Sequence, residues 1–367
     1  MMPVAKVHRI SAVSPDDVSG IERAIAAGKI DPRGIIAVLG KTEGNGLVND
    51  FSRGYATLAL KTLFRRHLPA SQAEQICLVM SGGTEGGMAP HWIVFERGEG
   101  SGEGRGEGLA LAIGRAHTPA LPFEHLGRLA EVDQVADGVR AAMHDAGILS
   151  PADVHYVQIK CPLLTAERIG EADARGADVA VRDTLKSMGL ARAASALGAA
   201  VALGEIEREK LTEADIGTDF DLWSGCASAS SGIELINHEI VVLGMSPVWS
   251  GPLAIDHGVM TDAIDVEPVR AALARLGLSA PGQLPPVERK RLVALLGKAE
   301  ASHNGRLRGF RHTMLDDSDI ASTRHARAFV CGALAGIVGH AEIYVSGGAE
   351  HQGPDGGGPV AVIVERG

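Results

Sequence analysis

The feature that most constrains this chain is a short motif, Ser-x-Gly-x-Glu, which occurs three times. It reads SGGTE at residues 81–85, SSGIE at 230–234 and SGGAE at 346–350. The first and third copies follow apolar, strand-like segments, whereas the middle copy follows CASA. Internal repetition of this kind indicates repeated structural units, so the segments around the motif carry the first prediction.

A lysine and an arginine precede each motif serine in the same order. Each lysine closes an apolar strand-like run, and the three are Lys41, Lys160 and Lys298. Each arginine opens an alanine-rich helical pattern, and the three are Arg53, Arg192 and Arg324. The serines are Ser81, Ser230 and Ser346, and another apolar strand closes each unit.

Apolar strands of four to eight residues that alternate with alanine-rich helical stretches predict an α/β (α+β) unit. The fold class is therefore α/β with three similar repeat domains around a pseudo-three-fold axis and an active site at its centre. We place the units at 1–104, 110–250 and 255–367. The segment RGEGSGEGRGEG at 97–108 has the composition of a flexible linker, and its glycine spacing does not fit a dinucleotide-binding loop.

Composition limits the partners that the protein can have. The net charge of -10 and the aromatic content of 4% argue against nucleic acid, and no apolar run is long enough for a membrane span. The first residues contain no signal-peptide pattern, so we expect a cytoplasmic protein. The four cysteines lie far apart without a CxxC pair, which indicates buried thiols rather than a zinc site or disulfides.

Three Lys/Arg/Ser sets predict amide hydrolysis without a metal at the reacting centre. A lysine can take a proton from a serine only when burial or neighbouring cations lower its pKa. A guanidinium matches a carbonyl or imidic-acid edge with two hydrogen bonds, and glycines let backbone N–H groups approach an oxyanion. Repetition in fixed order further implies that the sets converge on a small, polar ligand that is itself nearly three-fold symmetric.

Other interpretations of the same residues stay open at this point. A metal-dependent cyclic amidohydrolase would need paired histidines, and the sequence has neither H-x-H nor HExxH. Cys161 and Cys226 flank the middle set and are candidate nucleophiles, although neither lies at a repeated position. A non-catalytic protein that only grips a small ring or anion is the alternative from a different class.

Several longer segments resemble the cyanuric acid hydrolase/barbiturase family over nearly the whole chain. They include GKTEGNG, MSGGTEG, VQIKCPLLT, SMGLARAASALG, AIDHGVMTDAID, RHTMLDDSDI and YVSGGAEHQGPDGGGPVAVI. The resemblance implies three similar domains around a pseudo-three-fold axis, a homotetramer, and hydrolytic opening of the s-triazine ring of cyanuric acid. The product would be carboxybiuret, which loses carbon dioxide to give biuret.

The same resemblance implies roles for individual residues. Lys160 is expected to be the base and Ser230 the nucleophile of a Ser-Lys dyad, while the other sets hold and polarise the substrate. The expected substrate contacts are Lys41, Arg53, Ser81, Gly82, Arg192, Ser231, Lys298, Arg324, Ser346 and Gly347. The residue pattern alone does not show that Ser230, rather than one of its two copies, is the nucleophile.

The resemblance also implies a structural divalent ion and no organic cofactor. Matching positions give Glu300, Ala349, Gln352, Gly353, Pro354 and Gly357 as its ligands. Mainly carbonyl oxygens would hold the ion, which suits Mg²⁺ or Ca²⁺ better than zinc. Barbiturase, which opens the related pyrimidine ring, is the alternative activity, and the segment DIASTR before Arg324 is where we expect substrate choice to be tuned.

Overall fold

Three four-stranded sheets of identical strand order form the framework of the protein. The structure is a computed structural model and describes residues 2–100 and 108–367. In each sheet the first strand pairs antiparallel with the fourth, the fourth pairs antiparallel with the second, and the second pairs parallel with the third. The predicted α/β class with three similar units is confirmed. The predicted linker falls largely outside the described residues, as do 101–104 at the end of the first unit.

The strands of each sheet follow one another along the chain. The first sheet comprises β1 (Pro3–Ser11), β2 (Ile35–Thr42), β3 (Cys77–Gly82) and β4 (His91–Glu99). The second comprises β5 (Ala110–His117), β6 (Val154–Pro162), β7 (Ala227–Gly232) and β8 (Glu239–Ser246). The third comprises β9 (Leu253–Met260), β10 (Leu292–Ala299), β13 (Tyr344–Gly347) and β14 (Gly358–Glu365). A hairpin of β11 (Arg306–Leu307) and β12 (Phe310–Arg311) lies between β10 and β13.

Helices connect the strands and cover one face of each sheet. The first unit contains α1 (Ser19–Ala26), α2 (Phe51–Arg65) and α3 (Ala70–Ala73). The second contains α4 (Leu129–Ala146), α5 (Ala166–Ala174) and α6 (Thr184–Leu203). The third contains α7 (Glu267–Arg275), α8 (Pro286–Arg289) and α9 (Ser322–Val338). Parallel strands need a crossover connection, and α2, α6 and α9 lie in the three crossovers.

The sheets share one core on their inner faces. Side chains alternate between the two faces of a strand, and in β2 Ala37 and Leu39 point into the shared core while Val38 points towards the helices of its own unit. Ala294 and Leu296 of β10 join the same shared core. Lys41 and Lys298 follow these residues at the same parity, so both lysines point inwards at the end of their strands.

Each sheet has a bulge at the same place, just after the start of its second strand, where the pairing register with the fourth strand shifts. The residues at the three bulges are Ile36, His155 and Val293. Arg115 Nη1 donates to the Ile36 carbonyl at 3.4 Å, and Arg9 Nη1 donates to the Val293 carbonyl at 3.2 Å. The ladder registers put His257 at the equivalent position in the third unit. Its Nδ1 lies 2.9 Å from His155 Nδ1, so a histidine pair replaces the arginine contact at one interface.

Among the described residues, none of the helices is both long enough and apolar enough to cross a lipid bilayer.

Candidate active site

The register of the parallel strands places each repeated lysine directly opposite its serine. The paired positions are Lys41 with Ser81, Lys160 with Ser230, and Lys298 with Ser346. Lysine and serine end adjacent strands, and the arginine-bearing helix lies in the crossover between them. This connectivity explains why the order along the chain is Lys, Arg, Ser in every unit.

Each repeated lysine also reaches the neighbouring sheet. The Nζ atoms donate to main-chain carbonyls at 2.9, 2.7 and 2.8 Å, in the pairs Lys41–Val345, Lys160–Met80 and Lys298–Ala229. In all three pairs the acceptor is the residue immediately before a motif serine of another unit. The lysines therefore close a ring around the centre of the molecule, and each one fixes a neighbour's serine strand.

The first and third lysines bond their own serines. Lys41 Nζ donates to Ser81 Oγ at 3.1 Å, and Lys298 Nζ donates to Ser346 Oγ at 3.3 Å. All four side chains are buried. These two pairs are therefore arranged as the predicted Ser-Lys sets require.

The middle pair is arranged differently. Ser230 Oγ lies 2.9 Å from Ser346 Oγ, and within residues 108–367 no hydrogen bond joins it to Lys160 Nζ. Lys160 Nζ instead lies 2.8 Å from Glu234 Oε1. The unit that the family resemblance selects as catalytic is thus the one that departs from the repeat in its geometry.

The third buried arginine at the cavity is Arg327, whereas the predicted Arg324 lies one helical turn before it on α9. Arg53, Arg192 and Arg327 all line the central cavity and are 2%, 8% and 3% exposed. The Arg324 side chain lies in the first turn of α9, remains 34% exposed and is not among the cavity-lining residues described. The two arginines are three residues apart on one helix, and both bind Glu85, with Arg324 Nε donating to Oε1 at 3.0 Å. Of the two, Arg327 is the one among the residues that line the cavity.

A sequence signal for the cavity-lining arginine exists. The arginine is followed by a small residue in the other two units, Gly54 and Ala193, and the residue after Arg327 is Ala328. The residue after Arg324 is His325. Aligning the helices on this small residue would have selected Arg327.

The glutamate of the repeated motif binds an arginine from another unit, a role that the sequence analysis did not assign. Arg192 binds Glu350 through two hydrogen bonds of 2.6 and 2.8 Å, and Arg327 binds Glu85 through two of 2.7 and 2.9 Å. Arg53 faces Glu234 across 3.7 Å. A second ring of contacts between units therefore orients the guanidinium groups.

The glycine of the motif gives these guanidinium groups room. Gly83 and Gly348 adopt φ values of +100° and +79°, which favour glycine. A Cβ at Gly348 would lie 2.4 Å from Arg192 Nε, and one at Gly83 would lie 2.3 Å from Arg327 Nη2. These contacts thus give a physical reason for the presence of the serine, the glycine and the glutamate in the motif.

The central cavity brings the predicted site residues together. Its volume is about 20 Å³, close to the space of a single water molecule. It is lined by Gly46, Arg53, Met80, Ser81, Gly82, Lys160, Met188, Arg192, Ser230, Ser231, Arg327, Ser346 and Gly347. Lys41 and Lys298 lie behind it, bonded to their serines. A six-membered ring can enter only if side chains such as the bonded pair Ser230 and Ser346 move apart.

Burial increases the fraction of each of the three lysines that is neutral, and so able to accept a proton, at neutral pH. It lowers the pKa of Lys298 to about 7, with Arg192 adding to the effect, and it lowers the pKa of Lys41 well below the usual range, with Arg327 adding to it. Burial also lowers the pKa of Lys160, but Glu234 opposes that change. The central site therefore favours neutral amines that can accept a proton.

The predicted ion-binding residues lie beside this site. Glu300 follows β10 and is buried, and its carboxylate accepts hydrogen bonds from Ala301 N at 2.8 Å and Ala349 N at 3.4 Å. Burial and then Glu350 raise the pKa of Glu300 to about 7. The Gln352 side-chain oxygen accepts from Ala229 N at 2.7 Å, so an ion would meet the main-chain carbonyl of Gln352 rather than its side chain. The buried Glu300 carboxylate and loop carbonyls match the oxygen donors that Mg²⁺ or Ca²⁺ prefers.

Paired histidines do occur, but away from the cavity. Within the part of the chain that the structure describes, the one group of three possible metal-ligating side chains is His155, Asp256 and His257. It lies at the unit interface, and no histidine is among the residues that line the central cavity. All four cysteines are buried, and burial raises the pKa of Cys161 to about 12 and keeps the Cys226 thiol protonated. Neither the hydroxide-forming metal site nor the thiolate nucleophile is supported at the centre.

The whole chain matches a known family. A sequence profile described as "amidohydrolase ring-opening protein" matches residues 6–365. The chain belongs to this family. The predicted family is confirmed, and with it the prediction that the protein is a hydrolase.

Individual relatives of the ring-opening amidohydrolase are similar over their full lengths. A cyanuric acid amidohydrolase from Azorhizobium caulinodans is 65% identical over 365 residues, covering 100% of this chain and 99% of that protein. One from Enterobacter cloacae is 51% identical, with 98% of each chain covered.

Solved structures extend this likeness to the fold. The crystal structure of a cyanuric acid hydrolase from A. caulinodans matches with a TM-score of 0.92 and 64% identity, covering 100% of this chain and 99% of the other. A second cyanuric acid hydrolase, described as an evolutionary innovation by structural concatenation, matches with a TM-score of 0.95 and 47% identity over 100% of both chains.

Proposed function

We propose that this amidohydrolase opens the s-triazine ring of cyanuric acid by hydrolysis. The carrying observation is the ring of three buried Lys/Arg/Ser sets around one cavity, which matches a substrate that repeats its carbonyl three times. The names of relatives at 51% and 65% identity support the same substrate. The product is carboxybiuret, which loses carbon dioxide to leave biuret.

In the proposed reaction Ser230 is the nucleophile and Lys160 the base of the Ser-Lys dyad. Lys160 takes the Ser230 proton as Oγ attacks a ring carbonyl, and the ammonium returns that proton to the departing ring nitrogen. Water then hydrolyses the resulting ester and frees Ser230. Entry of the ring between Ser230 and Ser346 breaks their hydrogen bond and frees the Ser230 hydroxyl, since catalytic contacts often tighten only in the substrate complex.

The other residues hold the ring and stabilise charge. Arg53, Arg192 and Arg327 would each donate to a ring carbonyl, because a guanidinium offers two parallel N–H groups. Ser81 with Gly82, and Ser346 with Gly347, would contact the remaining carbonyl and N–H groups through side chain and backbone. Ser231 would do the same in the middle unit, and backbone N–H groups would stabilise the oxyanion.

A bound Mg²⁺ or Ca²⁺ at Glu300 is part of the proposal. Glu300 would supply a carboxylate oxygen, and the loop Ala349, Gln352, Gly353, Pro354 and Gly357 would supply carbonyl oxygens. The ion would neutralise the buried carboxylates and hold the loop that carries Ser346, so its role would be structural. Adding Mg²⁺ or Ca²⁺ to chelator-treated protein should raise the melting temperature, and Glu300→Gln should remove most of that rise. Equal rises in both proteins would contradict this ion site.

The remaining proposals concern organisation. We propose unit boundaries at 1–104, 110–250 and 255–367; the first two sheets lie within these limits, whereas β9 of the third begins earlier, at Leu253. A homotetramer in the cytoplasm, without an organic cofactor, is proposed from the family resemblance. Size-exclusion chromatography with light scattering tests the tetramer.

Turnover of purified protein with cyanuric acid and with barbituric acid tests the proposed activity. Hydrolysis of cyanuric acid is expected, with loss of at least about a thousandfold in kcat for Ser230→Ala. The matched variants Ser81→Ala and Ser346→Ala occupy equivalent positions and should lose less kcat and raise KM. Preferential opening of barbituric acid would assign the sister activity, and equal losses in all three variants would contradict the choice of Ser230.

A further inference from the structure

Glu234 differs from its two repeat equivalents in what it contacts. Glu350 and Glu85 each bind an arginine with both carboxylate oxygens, at distances of 2.6 to 2.9 Å. Glu234 lies 3.7 Å from Arg53 but 2.8 Å from Lys160 Nζ. The middle glutamate has thus shifted from the arginine of another unit to the lysine of its own.

We propose that Glu234 is a positioning residue for Lys160, a role that Glu85 and Glu350 do not share. This inference rests on the proposed function, in which Lys160 is the base. It gives the middle unit a physical distinction that the repeated motif, read alone, does not contain.

Burial strengthens the attraction between Lys160 and Glu234. The side chains of Lys160 and Glu234 are 1% and 8% exposed, so water screens their attraction little. The Lys160 ammonium is further held by the Met80 carbonyl at 2.7 Å. The hydrogen bond to Met80 and the charge contact with Glu234, which does not have hydrogen-bond geometry, hold Nζ at the end of β6, opposite Ser230 in the strand register.

The shift of Glu234 also affects Arg53. The buried Nε of Arg53 lacks a hydrogen-bond partner among the described residues, while its Nη2 donates to the Leu47 carbonyl at 2.8 Å. In Arg192 and Arg327, in contrast, Nε donates a hydrogen bond to the motif glutamate. Arg53 therefore retains a buried N–H that has no hydrogen-bond partner among the described residues, in a side chain that lines the cavity.

A second cavity lies on the other side of this ion pair. Its volume is about 340 Å³, and its lining includes Lys160, Arg168, Glu234 and Glu239. Lys160 lines both this side cavity and the central one, whereas Glu234 is among the residues described for the side cavity. A polar cavity of this size accommodates several water molecules. Lys160 and Glu234 thus both border a site where protons can be exchanged.

The charges around Lys160 predict how removal of Glu234 would act. Burial has the largest effect and lowers the pKa of Lys160, whereas Glu234 raises it. Arg53 also lowers this pKa, and Cys161 raises it. Arg168, Glu239 and His117 face it from the side cavity. Without the Glu234 carboxylate the pKa of Lys160 falls, so the neutral amine persists to lower pH, while Nζ loses the contact that positions it near Ser230.

The test compares Glu234→Gln with the matched variants Glu85→Gln and Glu350→Gln. For Glu234→Gln we expect kcat to fall at least about tenfold and the acidic limb of the kcat–pH profile to move to lower pH by about one unit or more. The two matched variants should raise KM and leave the profile in place. Glu234→Asp keeps a carboxylate and should recover part of kcat, and it replaces the glutamine variant if that one does not fold.

A readout that needs no turnover separates this inference from the proposed function. NMR titration of the lysine side chains, with Lys160→Met to identify its signal, should show a lower pKa for Lys160 in Glu234→Gln than in the unsubstituted protein. Unchanged titration, or a profile shift shared by all three glutamine variants, would overturn the role of Glu234. Failure of the unsubstituted protein to hydrolyse either ring would overturn the proposed function instead.

Discussion

Lys298 Nζ donates a hydrogen bond to the carbonyl oxygen of Ala229 at 2.8 Å. Ala229 directly precedes Ser230, so a lysine of the third unit holds the strand that carries the proposed nucleophile of the second. The same Nζ also donates to Ser346 Oγ at 3.3 Å. One side chain therefore couples two of the three serines.

Replacing Lys298 with methionine should both destabilise the protein and reduce its activity. The substitution leaves the buried Ala229 carbonyl without this partner, which costs about 1–3 kcal/mol. It also loosens the Ser230 strand, so kcat should fall. Urea denaturation and steady-state kinetics measure the two effects, with the exposed Lys290→Met as control. Full stability and activity in Lys298→Met would contradict this coupling.

Substituting the arginines of α9 tests the assignment of Arg327. Arg327→Lys removes the two-pronged contact with Glu85 and should raise KM about 10–100-fold, which corresponds to the loss of one or two charge-assisted hydrogen bonds. Arg324→Lys changes a side chain at the rim and should alter KM by less than about threefold. A larger effect at Arg324 than at Arg327 would restore the original prediction.

Gly348→Ala should disturb the active site out of proportion to its single added methyl group. The φ of +79° at Gly348 is strained for alanine, and the new Cβ would collide with Arg192 Nε. We expect a stability loss of about 1–2 kcal/mol together with a higher KM. Gly332→Ala on α9 is the control, since no neighbouring atom lies within 4 Å of its Cβ position. That helical substitution should stabilise by up to about 1 kcal/mol.

The histidine pair at the unit interface should make stability depend on pH. Burial and then His155 lower the pKa of His257 to about 4, whereas an unfolded histidine titrates near about 6.5. As pH falls below 6.5, His257 therefore binds a proton in the unfolded chain but not in the folded protein. Stability is fully present above pH 6.5 and is lost progressively towards pH 4.

A double substitution checks this origin. His155→Val with His257→Arg recreates the contact between Arg9 and Val293, and it should flatten the decline in unfolding free energy between pH 6.5 and 4. Urea denaturation across this range in both proteins supplies the comparison. Parallel declines would assign the pH dependence to other histidines.

The sequence predicted the parts of the site that each unit contains by itself. Lys41 and Ser81 end adjacent apolar strands, so periodicity and order were enough to bring them together. The same reasoning holds for Lys298 and Ser346. Family resemblance, rather than residue pattern, selected Lys160 and Ser230, and the altered contacts of Glu234 now give that choice a structural correlate.

Contacts between units were beyond sequence reasoning. Nothing in the motif shows that Glu350 binds Arg192 from the preceding unit, because the two residues are 158 positions apart. The choice of Arg324 rather than Arg327 had a local reason, since two arginines one helical turn apart fit the same periodic pattern. Packing depth, which only the assembled sheets define, distinguishes them.

The histidine contact at one bulge shows what a single continuous polypeptide permits. Three identical subunits would have to carry the same residue at all three interfaces, so a change favourable at one would be imposed on the others. In this protein Arg9 and Arg115 make the arginine contact at two interfaces, whereas His257 at the third does not. A single chain therefore leaves each interface free to differ from the others, and in the proposed function the same freedom lets one of the three serine sites carry the nucleophile while the other two bind substrate.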